Sequence, residues 1–299
     1  MKFRLIQHST KILAFSALLL TTACKKDINN VTGPSQNTAA ATLSDSSTVA
    51  DNAYNDVLIN AFFGYSDQLV NGAAGRMQSG GTATNSVNQV NSADLSCATY
   101  TLVTAQGGGY PKTLTLDFGD GCSGSVDSVM RKGKIIYVFS GDLLTPGTTV
   151  SATFDQYFVN GYGLQGACSI GNNSTLQNGV SFTLQITNGI FTFPDLTNFH
   201  YSANKTIQMT AGSSTPLDFS DDIYSITGNS NFTASDGSSL VSTVTTPLVR
   251  AFICKYISAG VISFVYDNSV KGTIDFGDGT CDNAATLVVG SITEQITLR

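Results

Sequence analysis

Two stretches of this 299-residue chain repeat the same set of side chains with chemical potential. Cys97 is followed by Tyr100 and then by Thr115-Leu-Asp-Phe-Gly-Asp-Gly-Cys122; Cys254 is followed by Tyr256 and then by Thr273-Ile-Asp-Phe-Gly-Asp-Gly-Thr-Cys281. Each stretch offers two thiols and two carboxylates three residues apart, Asp117 with Asp120 and Asp275 with Asp278. Carboxylate oxygens suit Ca²⁺, and Asp282 adds a further donor to the second set. The ion takes about six to eight oxygens, however, so these aspartates are only the start of a shell. A strand end running into a polar turn accounts for the same residues, and no metal or other cofactor is expected. Acid–base and nucleophilic chemistry find little material. His8 and His200 are the two histidines, and no Gly-x-Ser-x-Gly elbow accompanies them. Glu294 is the sole glutamate, so a carboxylate pair for glycoside hydrolysis would rest on aspartates alone. Zinc lacks a ligand set as well. We therefore expect no catalytic residues and no enzyme.

The elements that must position these groups change character along the chain. Residues 24–44 are mostly Asn, Thr, Ser and Ala, a composition that buries too little surface to offset its ordering entropy, and they read as a flexible tether. Between 46 and 70, Ala50, Ala53, Tyr54, Val57, Leu58, Ala61, Phe62, Tyr65 and Leu69 recur at helical steps. Asp45 or Ser46 can cap this helix and Asn71-Gly72 can stop it. Residues 71–96 form a second polar connector. From Cys97 onward the period becomes two: Leu114, Leu116 and Phe118; Val150, Ala152 and Phe154; Val180, Phe182, Leu184 and Ile186; Ile262, Phe264 and Tyr266. Asn-Gly or Asp-Gly pairs at 120–121, 160–161, 178–179, 188–189, 236–237 and 278–279 supply hairpin turn chemistry. Ile135 to Phe139 is apolar on both faces, as in a strand covered on both sides. The expected fold is mainly β, an antiparallel meander forming a curled sheet or sandwich with one N-terminal helix packed against it.

The N-terminus adds a third thiol with a separate role. Lys2, Arg4 and Lys11 precede an apolar run from Ile12 to Leu20, too short to span a bilayer. Thr21, Thr22 and Ala23 then lead into Cys24. This arrangement resembles a secretory signal ending in the lipobox of bacterial lipoproteins, although Leu20 stands four residues before the cysteine rather than three. The resemblance implies cleavage before Cys24, palmitate-type acylation of that residue and attachment to a membrane through its acyl chains. The chain then divides into a signal peptide (1–23), tether (24–44), helix with connector (45–96) and β domain (97–299). Cleavage removes three of the 15 cationic residues and none of the 21 acidic ones, leaving a net charge of −9. An acidic body without a basic stripe is a poor nucleic-acid binder. In an oxidising compartment the remaining thiols pair. Five cysteines permit several pairings, and the repeat selects Cys97–Cys122 and Cys254–Cys281, leaving Cys168 as a small buried residue.

Beyond the anchor, residues 97–299 resemble a family of Bacteroidetes cell-envelope lipoproteins with paired Asp-Phe-Gly-Asp-Gly-(Thr)-Cys motifs. The likeness rests on Arg131-Lys-Gly-Lys-Ile, Thr153-Phe-Asp, Val159-Asn-Gly, Thr246-Pro-Leu-Val and the string from Asp275 to Asn283. It implies an outer-membrane lipoprotein facing the periplasm or the cell surface, and it carries no activity. The expectation is a non-enzymatic binding or structural body, with glycan, lipid and protein all open as ligands. The absence of Trp weighs against sugar stacking. The alternative is a carrier of a lipid or other apolar ligand in the groove of the curled sheet. A continuous apolar groove beneath the helix would favour the carrier, and a filled interior would favour the structural or binding body.

Overall fold

The structure is a computed structural model that describes residues 34–65, 83–85, 95, 97–124, 128–215 and 218–299. The signal, Cys24 and the first part of the expected tether lie outside the described residues, as do Leu69, Asn71-Gly72 and most of the connector. One helix, α1 (Pro34–Gly64), is followed by strands that run in sequence order. They are β1 (Ala83–Asn85), β2 (Thr99–Thr104), β3 (Lys112–Asp117), β4 (Cys122–Ser123) and β5 (Met130–Phe139). Next come β6 (Thr149–Val159), β7 (Tyr162–Asn172), β8 (Ser181–Thr192), β9 (Asn198–Ala211) and β10 (Ile223–Ala234). The last five are β11 (Ser239–Ala251), β12 (Ala259–Tyr266), β13 (Val270–Asp278), β14 (Ala284–Val289) and β15 (Ile292–Thr297).

Every strand pairs antiparallel with its sequence neighbour, apart from β4, a two-residue spur on β5. The result is a single curled sheet whose ends, β1 and β15, do not pair with each other. This is the expected meander, and it is neither a sandwich nor a closed barrel. Hairpin connections account for the order: short polar turns return the chain at once, so each strand finds the preceding one first.

Alternation along each strand sends one set of side chains inward. Leu114, Leu116, Val150, Ala152, Leu184 and Phe264 are all buried. Strand β5 departs from the expectation of cover on both sides. Ile135, Tyr137 and Phe139 are buried, whereas Val138 on the other face is exposed. A β-branched residue on an outward face satisfies strand propensity without needing a second layer. Turn chemistry holds at Asn160-Gly161, where positive φ at both residues closes β6 onto β7. Asn188-Gly189 instead lies within β8, at a register shift opposite Gly166. The same positive φ that closes a hairpin also makes a bulge. The tight turn between β12 and β13 is made by Asp267 and Asn268, both at positive φ.

The curled, unclosed sheet wraps α1. From Leu43 to Tyr65 no helix residue is exposed, so the helix is enclosed on all sides rather than lying on one face. It also starts earlier than expected, which makes residues 34–44 helical rather than part of a tether. Pro34 suits a first helical turn, and the alanines that follow are the best helix formers. Ala40, Ala41 and Leu43 are buried, so small side chains supply contact here through close approach. Farther along, Phe62 meets Phe182 of β8 edge-on at 5.0 Å, a geometry worth about 0.5–1.5 kcal/mol beyond its buried area. Gly64 lets the helix end approach β3, because a Cβ there would stand 2.7 Å from Leu114 Cδ2.

Two disulfides, Cys97–Cys122 and Cys254–Cys281, staple the sheet near its two ends. Each closes a hairpin across its open side, β2–β3 in the first case and β12–β13 in the second. Cys168 is a buried free thiol on β7, and burial pushes its pKa up to about 12.

Candidate functional site

The four repeated aspartates do not converge on a metal. Asp117 accepts from the Gly119 N–H and pairs with Lys134 Nζ at 2.6 Å. Asp275 caps Gly277 N–H, Asp278 caps Thr280 N–H and hydroxyl, and Asp282 caps Ala284 N–H. These are Asx turns, in which a side chain substitutes for a backbone acceptor. Asp120 is exposed in the turn between β3 and β4. Among the described residues no three His, Cys, Asp or Glu side chains gather as a metal site. His200 is exposed on β9, and Glu294 is exposed on β15.

What the sequence did not single out is the charge inside the sheet. A helix enclosed by strands cannot leave its carboxylates in water, so Asp51 and Asp56 must find partners. Asp56 is forked by Arg131, with Nε 3.0 Å from Oδ2 and Nη2 bonded to Oδ1. Tyr157 hydroxyl and Asn60 Nδ2 each donate to Oδ2 at 2.9 Å. Burial raises the Asp56 pKa, but the Arg131 charge and these hydrogen bonds outweigh it, and the carboxyl sits below its ordinary value. Burial and the nearby Asp56 charge drive the Tyr157 hydroxyl well above its usual range, so it stays a donor. Asp51, 13% exposed, pairs with Lys205 Nζ of β9 at 2.8 Å and accepts from the Tyr201 hydroxyl.

Tyrosines also tie the helix backbone and its neighbours together. Tyr137 hydroxyl donates to the Val57 carbonyl at 2.7 Å, and Tyr54 hydroxyl donates to the Gln165 carbonyl at 2.8 Å. Tyr54 also accounts for the glycine at the β8 bulge, since a Cβ on Gly189 would stand 2.8 Å from the Tyr54 oxygen.

Beside the Asp56 cluster opens a cavity of about 270 Å³. Its floor is α1, through Ala53, Asp56 and Ile59; one wall comes from Arg131, Val159 and Tyr162 of β5–β7. The opposite wall is the end of β11 and the segment after it, with Arg250, Phe252, Ile253 and Lys255, and Arg299 stands at the rim. Four cationic side chains therefore face one acidic side chain, in a chain whose overall charge is −6. Arg250 is partly buried and donates from Nε to the Cys254 carbonyl at 3.1 Å. Burial lowers its pKa to about 10 even though Asp56 pulls it upward. Phe252 packs against Phe63 of the helix, with ring centroids 5.0 Å apart, and fixes this wall. Two other cavities beside the helix are far smaller, at about 30 and 10 Å³.

No family model, curated protein or solved structure matches this chain.

Proposed function

We propose that this chain is a cell-envelope-anchored lipoprotein whose disulfide-braced β body binds a ligand and performs no catalysis. The observation that carries the binding part is the cavity of about 270 Å³ beside the helix, close to the lower bound of about 300 Å³ usual for small-molecule sites. Mostly apolar walls with a few convergent polar groups are the common pattern of such sites. The acid that faces the cavity, Asp56, is held by three donors and has no free role as a base. The anchor rests on the signal-like N-terminus and Cys24, and the paired motifs support membership of the Bacteroidetes envelope family. No helix among the described residues is long and apolar enough to cross a membrane. In this reading the acyl chains on Cys24 supply the attachment.

The carrier alternative needs a continuous apolar groove beneath the helix. Ala50, Val57 and Ala61 are fully buried, and apart from the single cavity of about 270 Å³ the gaps described along the helix are about 30 Å³ or less. The space is one pocket and not a continuous groove, which favours the filled body over the carrier. Metabolic labelling with a clickable palmitate analogue tests the anchor. Wild-type chain is expected in the membrane fraction with label, and Cys24→Ser is expected to lose both. Retention of Cys24→Ser in that fraction without label would refute acyl attachment.

A further inference from the structure

We infer that the cavity between α1, β5–β7 and the β11–β12 segment is a site for a small amphiphilic carboxylate, with its head on Arg250 and its apolar body against Phe252, Ile59 and Val159. The inference deepens the binding reading above and rests on it. Three features converge on this ligand class. First, the cationic side chains outnumber the acidic one, and the acidic one is already spent: both Asp56 oxygens are engaged by Arg131. Arg299 pairs with Asp45 at 3.7 Å, so the surplus lies with Arg250 and Lys255.

Second, Arg250 has no carboxylate within ion-pair distance among the described residues, although it is set into the wall rather than extended into solvent. Its Nε is committed to the Cys254 carbonyl, which fixes the plane of the guanidinium and leaves the terminal nitrogens as a preorganised fork. A planar carboxylate matches that fork, and a desolvated guanidinium gains most from such a partner. Third, most of the remaining lining is apolar, with Ala53, Ile59 and Phe63 from the helix, Val159 from β6 and Phe252 opposite, while Asn52, Asn160 and Tyr162 add neutral polar groups. A purely inorganic anion would leave that surface wet, and a neutral hydrocarbon would leave Arg250 unmatched. The acidic charge of the remaining body repels anions elsewhere, so the cationic mouth focuses them here.

Isothermal titration of the full chain carrying Cys24→Ser, with octanoate, 1-octanol, octylamine and octyl phosphate as probes, tests this. Octanoate is expected to bind at one site with a Kd below about 1 mM. The alcohol and the amine are expected at least about tenfold weaker, and raising the salt should weaken octanoate binding. Arg250→Met should cost octanoate at least about tenfold and leave octanol unchanged, with circular dichroism checking the fold. If that variant does not fold, Lys255→Met, an exposed substitution, should still weaken octanoate by about threefold. Octanol binding as tightly as octanoate would overturn the carboxylate assignment and leave the binding body standing. So would octyl phosphate binding about tenfold tighter than octanoate. Failure of all four probes would overturn both the assignment and the binding reading.

Discussion

Asp51 and Asp56 lie five residues apart on one helix, and each meets one cation and one tyrosine from the surrounding sheet. Five helical steps rotate a side chain by about 140°, so the two acids reach different sectors of the sheet, β9 for Asp51 and β5–β6 for Asp56. The clusters match in composition and differ in what lies beyond them. Behind Asp51 the packing leaves about 10 Å³, whereas Asp56 borders the cavity of about 270 Å³ and the Arg250 wall. Asp222, a third buried acid, makes the comparison complete. It accepts from the Tyr224 hydroxyl but has no cation within ion-pair distance among the described residues, and burial pushes its pKa up to about 6. The Tyr224 hydrogen bond does not offset the burial of Asp222, whereas the Arg131 charge and the bonds around it outweigh the burial of Asp56.

The largest expected effect is at Arg131. Arg131→Met strands the buried Asp56 charge and should cost about 3–5 kcal/mol in urea unfolding, together with the loss of octanoate binding. Lys205→Met should cost somewhat less, because Lys205 makes a single contact where Arg131 makes a fork, and should leave octanoate binding intact. Adding Asp51→Asn to Lys205→Met should recover part of the loss, since no uncompensated charge then remains. Equal effects of both substitutions on ligand binding would erase the distinction between the clusters.

Acid titration separates Asp56 from Asp222 by sign. Asp56 has a folded pKa below its ordinary value, so its stabilisation is complete above about pH 4 and fades as pH falls through the lower folded value. Asp56→Asn should remove that acid limb from the stability profile while destabilising the protein at pH 7. Asp222 behaves oppositely. Its pKa is raised to about 6, so its contribution is best below about pH 4 and declines as pH rises towards 6. Asp222→Asn should therefore raise the melting temperature at pH 7 and leave it unchanged near pH 4. A stabilisation of the same size at both pH values would show that packing rather than charge is involved. This is the smallest of the expected effects.

Much of the fold was written in local pattern. Alternation at Leu114 and Leu116, or at Ile262 and Phe264, marked strands and their buried faces, because a strand has a period of two whatever surrounds it. The duplicated cysteine spacing likewise marked both disulfides. Asn188-Gly189 was misread as a hairpin turn because positive φ is local information while the choice between turn and bulge belongs to the partner strands. The helix start at Pro34 was missed for a related reason. Ala40 and Ala41 look too small to drive ordering, yet a sheet that wraps them buries both.

The chain alone thus determined a meander of hairpins, two cysteine pairs and a helix near the start. Those features depend on neighbours in sequence or on a direct repeat. The candidate site depends on neither. Asp56 and Arg131 are 75 residues apart, and Arg250 arrives from β11, far beyond both. Only the curl of the sheet brings the three to one cavity, because wrapping strands around a helix turns positions with no shared local signal into neighbours. The charges among them then had to pair or to face a ligand, a demand that burial imposes and sequence spacing does not express.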